Sequence, residues 1–396
     1  MAASYTRLSA LVRNLRWHVP SGGIIPPLPL VILLHGLGGD GDDWIDPLQD
    51  RNWPYNHQRA PGEVDLGEHR TPPLRLPGIA THYLLSPRLK SNTRGADGSD
   101  DRSWWHALLG AGFAVITYSQ TSGLMVPFDR GPVAQFHKFM QILQEDVLPA
   151  PEYEGRQIVI VGHSRGGLIA RAYLGAPDVR AAAGQQFPTV HGLITISSPH
   201  RGSQMALLDD KIIAFLSRAQ KVVRVVAPHA GDRGIERLKK MIDDYVGVYG
   251  DEIEPGSPLF RALEAQEPIP AGVRCISVGG TSPRLLRLYL WRYRAKSFVL
   301  RRGASGKLRF HWWARPFEAR LVSPVPDGLP LKWLKIDMDE VLPGLGDGLT
   351  ANRRCRLPTS FDTEDHLAFP LSHAEELWDG ALQAAIVERL KTFTTG

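Results

Sequence analysis

The feature that most constrains this chain is a turn. Ile158-Val159-Ile160-Val161 runs directly into Gly162-His163-Ser164-Arg165-Gly166-Gly167, and a helical pattern opens at Leu168. An unbroken β-branched run of this length reads as a strand buried on both faces. Glycines two before and two after Ser164 let strand and helix backbones approach closely, so the residue between them sits on a tight turn. Its hydroxyl is presented at the helix N-terminus, where backbone N–H groups and the helix dipole favour developing negative charge. Gly-x-Ser-x-Gly between a strand and a helix therefore marks Ser164 as a candidate nucleophile.

Other short apolar runs share this character: Leu30 to Leu34, Phe113 to Tyr118, Leu193 to Ile196 and Val273 to Val278. Between them, Val133, Phe136, Phe139, Met140, Leu143 and Val147 form a helical stripe. Strands alternating with helices predict an α/β fold with a doubly wound, mostly parallel sheet. The 396 residues fit one such domain carrying inserts. Three stretches break the rhythm and are read as inserts: about 48–101, polar and proline-rich; 203–267, largely helical in pattern; and 281–345, basic and aromatic.

Bulk properties narrow the function classes. Lys and Arg number 46 against 41 Asp and Glu, a net charge of +5. An excess this small serves solubility and does not call for nucleic acid. Two cysteines, Cys275 and Cys355, make no disulfide framework, and pairing between them stays open. The first 20 residues spread Arg7, Arg13 and Arg16 among apolar residues, unlike a secretory signal. No apolar run reaches the roughly 18 residues of a membrane helix. The expectation is a cytoplasmic protein.

A nucleophilic serine acting on an acyl group needs two backbone N–H donors for the oxyanion. Arg165, next after the nucleophile, supplies one. The second is expected from a glycine-rich loop early in the chain. Leu33-Leu34-His35-Gly36-Leu37-Gly38-Gly39 follows the first clear strand, which makes Leu37 the donor and His35 a structural residue.

His-Gly-Leu-Gly-Gly and Gly-His-Ser-Arg-Gly-Gly together resemble the bacterial lipase and esterase branch of the α/β-hydrolase family. Ile196-Ser197-Ser198-Pro199-His200-Arg201-Gly202-Ser203 resembles its T-P-H-x-G-(S/T) loop. Pro255-Gly256-Ser257-Pro258 is similar to a step in its cap regions. The resemblance covers the core strands and none of the three inserts.

The resemblance implies an acid and then a histidine, on loops after the last two strands. Gly346-Asp347-Gly348-Leu349 resembles the acid loop of these lipases, which makes Asp347 the acid, with Asp337 and Asp339 as rivals. His366 and His373 compete for the base. With Leu367 to Ser372 read as the last strand, His373 stands at its end and His366 at its far end. Ser372 and Glu375 form a capping box for a following helix, with Leu377, Ala381, Ala385, Ile386 and Leu390 as its buried stripe. Arg356-Leu357-Pro358 resembles the step before the family's last strand. His373 is favoured; His200 is a third conceivable base.

The implied activity is hydrolysis of carboxylic esters through an acyl-enzyme on Ser164, with no cofactor and no metal. An acyltransferase would share the same intermediate. The implied partner is an ester or lipid substrate. Leu207, Leu208, Ile212, Ile213, Phe215 and Leu216 give 203–267 an apolar face suited to a lid. The insert 281–345 reads first as a β-hairpin cover with a solvated charged face, next as a contact with an anionic lipid surface, and last as a nucleic-acid contact.

Overall fold

A computed structural model describes residues 2–20, 27–37, 39–47, 81–85, 102–175, 187–205, 250–266, 272–283, 288–302, 308–322, 338–359, 361 and 363–394, with the backbone alone for 2–5, 81–85, 250, 288–302, 308–322, 363, 364 and 394. In chain order the elements are α1 (Ala2–Leu11), β1 (Arg13–His18), β2 (Leu30–Leu34), β3 (Thr81–Leu85), α2 (Trp104–Gly110) and β4 (Ala114–Ser119). Then come α3 (Gly131–Ile142), β5 (Ile158–His163), α4 (Arg165–Leu174), β6 (Val190–Ile196), α5 (Gly250–Ile253) and α6 (Pro258–Glu264). The chain closes with β7 (Arg274–Gly280), β8 (Leu288–Arg302), β9 (Leu308–Val322), α7 (Asn352–Cys355), β10 (Thr363–Phe369) and α8 (Gly380–Lys391).

Seven strands form one sheet in the order β1-β4-β2-β5-β6-β7-β10. Its neighbours are parallel except at the edge, where β1 runs antiparallel to β4. The apolar strands are buried on both faces, as their unbroken hydrophobicity requires. Leu30, Ile32 and Leu34 join a core with Phe136, Phe139 and Leu168. Val31 and Leu33, on the opposite face of the same strand, join Trp44, Trp104 and Ile386. Alternate residues of one strand thus feed two cores, and the sheet is doubly wound.

The C-terminal segment departs from expectation. The last strand begins at Thr363, so His366 lies inside β10, paired in register with Ser277, and not at a strand's far end. The Ser372 N–H does donate to Glu375 Oε2 at 2.7 Å. This bond leads only into a 3-10 turn over Glu375–Leu377; the helix waits for Asp379, whose side chain accepts from the Leu382 N–H. That cap sets the helix phase. It turns Leu382, Ile386, Val387 and Leu390 inward, leaves Ala381 exposed and Ala385 half-buried.

The basic stretch contains a two-stranded antiparallel ribbon, β8 and β9. β3, from the proline-rich stretch, pairs with β8 to make a separate three-stranded sheet. Most of the expected lid, 206–249, lies outside the described residues. Cys275 and Cys355 are both buried and are not joined in a disulfide. No helix among the described residues is long and apolar enough to cross a membrane.

Candidate active site

Ser164 occupies the turn between β5 and α4 with φ 52° and ψ −122°. A non-glycine residue adopts this left-handed conformation only where its surroundings over-determine it. Here the surroundings are backbone. A Cβ on Gly162 would lie 2.5 Å from the Gly167 N, and one on Gly166 would collide with the Leu34 carbonyl. The Ser164 N–H donates to the Ile196 carbonyl at 2.8 Å. Ser164 itself is 4% exposed.

The glycine loop after β2 lies against this turn. A Cβ on Gly36 would stand 3.0 Å from His163 Nδ1 and 3.1 Å from Ser164 Cβ. His35 serves the backbone: its Nε2 accepts from the Gln120 N–H at 2.9 Å and its Nδ1 faces the Gly36 carbonyl at 2.7 Å. Leu37 follows, half-buried, in the same turn. Arg165 opens α4, and its buried guanidinium donates to the Gly123 carbonyl and lies 3.7 Å from Glu252 Oε2 on α5. Burial pushes the Glu252 carboxyl above its usual range.

The structure brings Asp347 and His373 together. Asp347 is fully buried, and its Oδ2 lies 2.8 Å from His373 Nδ1. Its other oxygen accepts from the N–H groups of Leu349 at 2.8 Å and Thr350 at 2.6 Å. The His373 N–H donates to the Asp347 carbonyl at 3.1 Å, so backbone and side chain are clamped together. The long insert before Asp347 is spliced out at its base, where the Gly344 N–H donates to the Thr281 carbonyl just past β7 at 2.8 Å. The acid loop thereby returns to the end of β7. A Cβ on Gly280 would lie 2.5 Å from the Leu371 carbonyl, 2.6 Å from Glu376 Oε1 and 2.7 Å from Asp347 Cβ. Only glycine fits there.

Three supporting residues escaped the sequence reading. His163, beside the nucleophile, faces the His373 carbonyl through Nε2 at 3.0 Å, and the two rings meet at 4.7 Å between centroids. Burial first, and then the neighbouring His373, pushes the His163 pKa well below the ordinary value, so its ring is a neutral donor. Glu376 is buried three residues after His373; Ser197 Oγ donates to its Oε1 at 2.5 Å. Ser197 in turn accepts from the Gly280 N–H at 3.2 Å and holds a φ of 44°. Burial, and next the charge of Asp347, raises the Glu376 pKa well above the carboxylate range. The only sequence signal for Glu376 was its spacing of three from His373; His163 and Ser197 stood inside motifs without an assigned part.

The competitors lie elsewhere. Asp339 pairs with Arg353, and Asp337 lies outside the described residues. His366 meets Ser277 Oγ at 2.8 Å and Asn352 Oδ1 at 3.1 Å. His200 is buried with Nε2 3.1 Å from Thr195 Oγ1, while its carbonyl accepts from Arg171. His163, His373 and Glu376 offer ligand atoms within 4.8 Å of one another. Hydrogen bonds account for that cluster: His373 Nδ1 faces Asp347 and His163 Nε2 faces the His373 carbonyl.

A mostly parallel doubly wound sheet, a strained serine turn after a central strand, and an Asp–His pair beyond its later strands are now in place. Residues 138–242 match the PGAP1-like alpha/beta domain family, a span holding β5, the Ser164 turn and α4. The fold around that span is a seven-stranded, mostly parallel α/β sheet with flanking helices. The chain is similar to the mature lipase BlEst2 of Bacillus licheniformis at 13% identity, over 95% of this chain and 97% of that one, with a TM-score of 0.40. It is also similar to the lin2722 product of Listeria innocua, at 13% identity over 93% and 96%, with a TM-score of 0.35. Esterase B of Lactobacillus rhamnosis matches at 13% identity over 71% and 72%, with a TM-score of 0.31. No curated protein matches the sequence.

Proposed function

We propose that the chain is a serine hydrolase of carboxylic esters, with Ser164 as nucleophile, His373 as base and Asp347 as acid. The observation that carries this reading is the buried Asp347–His373 pair, whose histidine ring packs on His163, the residue next to the strained Ser164. In the first half-reaction His373 takes the Ser164 proton as Oγ attacks the ester carbonyl carbon. The negative oxygen of the tetrahedral adduct is bound by the Leu37 and Arg165 amides. His373 then protonates the leaving alkoxide as the C–O bond breaks, leaving an acyl-enzyme. Water, deprotonated by His373, releases the acid and restores Ser164. Asp347 holds the imidazole in the tautomer this sequence needs and stabilises the imidazolium.

The test is covalent and kinetic. A fluorophosphonate probe is expected to label Ser164, and Ser164→Ala is expected to lose both the label and p-nitrophenyl ester hydrolysis. A folded wild-type protein that takes no label sinks the proposal.

A further inference from the structure

The molecule's charge is divided unevenly. Between residues 288 and 322, the span of β8, β9 and their connection, there are nine Lys and Arg against one acidic residue, Glu318. The rest of the chain then holds 37 basic and 40 acidic residues, a net of −3, so the whole positive excess resides in this ribbon. Eight positive charges cannot be enclosed in a dry interior without matching acids. Such a composition suits contact with water or with an anionic surface.

The ladder sorts the residues of its far half. Cross-strand partners share a face, and alternate rungs share the same one. Phe298↔Trp312, Leu300↔Phe310 and Arg302↔Leu308 are alternate rungs. They place an almost wholly apolar set of positions on one face, next to the connection between the strands. Arg301↔Arg309 occupies the rung between the last two of these, and Lys307 lies in the connection. Strands of 15 residues span about 50 Å, so this end is far from the ribbon's base. Tryptophan and phenylalanine beside arginine and lysine match a bilayer's interface: rings settle at the headgroup level and cations meet anionic lipid.

We propose that the β8–β9 ribbon is a docking element for an anionic phospholipid surface. It deepens the ester-hydrolase reading above by giving the enzyme a lipid interface, but binding is measured without catalysis, so the two stand or fall separately. Nucleic acid, the other polyanion that basic and aromatic residues suit, is an outcome of the test.

The experiment is vesicle co-sedimentation of the full chain with phosphatidylcholine alone and with phosphatidylcholine plus phosphatidylglycerol. Binding is expected only with the anionic lipid, and to weaken in high salt as charges are screened beyond a Debye length of about 8 Å at physiological strength. Arg301→Gln/Arg302→Gln/Arg309→Gln is expected to weaken partitioning roughly 100-fold, from the typical contribution of each basic residue near such a surface. Trp312→Ser tests the apolar face without changing charge and is expected to weaken binding as well. Circular dichroism melting shows each variant folded, and Ser164→Ala is expected to bind like wild type. Equal binding to both vesicles, unaltered binding by the triple variant, or tighter binding to a single-stranded oligonucleotide than to anionic vesicles overturns the proposal.

Discussion

The two halves of the site are held by different means. Ser164 is positioned by backbone packed through glycines: Gly162 of β5 against Gly167 of α4, and Gly166 against the Leu34 carbonyl at the end of β2. The glycines are adjacent to it in sequence, and the atoms they pack against are largely the backbone of neighbouring strands, with the Ile196 carbonyl accepting from the Ser164 N–H. Asp347 and His373 are positioned by polar groups drawn from across the chain, including His163, which lies 210 positions from His373. Ser197, Gly280 and Glu376 complete that network. A backbone-built turn depends on its glycines and on the strands packed against it, and few side chains enter it. A buried polar network depends on every partner, because each loss leaves a desolvated group unsatisfied.

The largest expected effect is at the acid. Asp347→Asn keeps an oxygen for the Leu349 and Thr350 amides, so the fold is expected to persist. The amide reverses what His373 Nδ1 faces and favours the wrong tautomer. Turnover of a p-nitrophenyl ester is expected to fall about 10⁴-fold, the scale of this change in a serine triad. A fall of less than tenfold, with the protein folded, breaks the assignment of Asp347.

Gly280→Ala comes next. Its Cβ would meet Leu371, Glu376 and Asp347 within 2.7 Å, and the nearest of these is a backbone carbonyl that cannot swing aside. Overpacking of this kind costs about 1–3 kcal/mol. Displacing Asp347 by even an ångström is expected to lower turnover about 100-fold. Urea unfolding and kcat measured on one preparation separate the two effects. A large loss of stability with intact kcat means the glycine serves packing alone.

Glu376 sharpens the comparison further. Its raised pKa means the folded protein keeps a proton above pH 4.5 that the unfolded chain releases. The contribution of that protonated carboxyl is therefore fully present at low pH and declines as pH rises through the folded value. Glu376→Gln keeps a neutral acceptor for Ser197 and removes the titration, so its stability is expected to fall less between pH 5 and 8 than that of wild type. Its turnover is expected within tenfold of wild type. Glu376→Ala instead strands the Ser197 hydroxyl and is expected to cost about 1–3 kcal/mol. Identical pH–stability slopes for wild type and Glu376→Gln argue against a buried protonated carboxyl.

Legibility in the sequence obeys the same division. The inner strands of the main sheet were readable because burial on both faces demands continuous apolar runs. The Ser164 turn was readable because its glycines are local. Asp347 was obscured by the insert after β7, and the structure shows why that matters little: Thr281 and Gly344 meet, so the excursion adds length without moving the acid loop. β1 and β3 left no comparable signal, being edge strands of six and five residues with polar positions. The start of α8 misleads because Ser372 and Glu375 do bond, yet they close only a 3-10 turn. Glu376 was illegible because an acidic residue in sequence gives no hint of burial; only the fold brings it to Ser197.

The smallest effect concerns the histidine set aside as base. In β10, His366 lies between Ser277 and Asn352, with bonds that suit a neutral ring accepting from one and donating to the other. Burial, and then the Arg356 charge, lowers its pKa to about 4. The unfolded chain binds a proton near pH 6.5 that the folded chain refuses until about pH 4, so stability falls as pH drops through that window. His163, lowered by its own burial, acts in the same direction. His366→Gln keeps a donor and an acceptor without the titration and is expected to make the loss of stability between pH 6.5 and pH 4 shallower but not abolish it, because His163 remains. Its ester hydrolysis at neutral pH is expected to match wild type. A loss of hydrolysis approaching that of Asp347→Asn instead transfers the base from His373 to His366, and with it the claim that the acid–base half is built around the loop after β10.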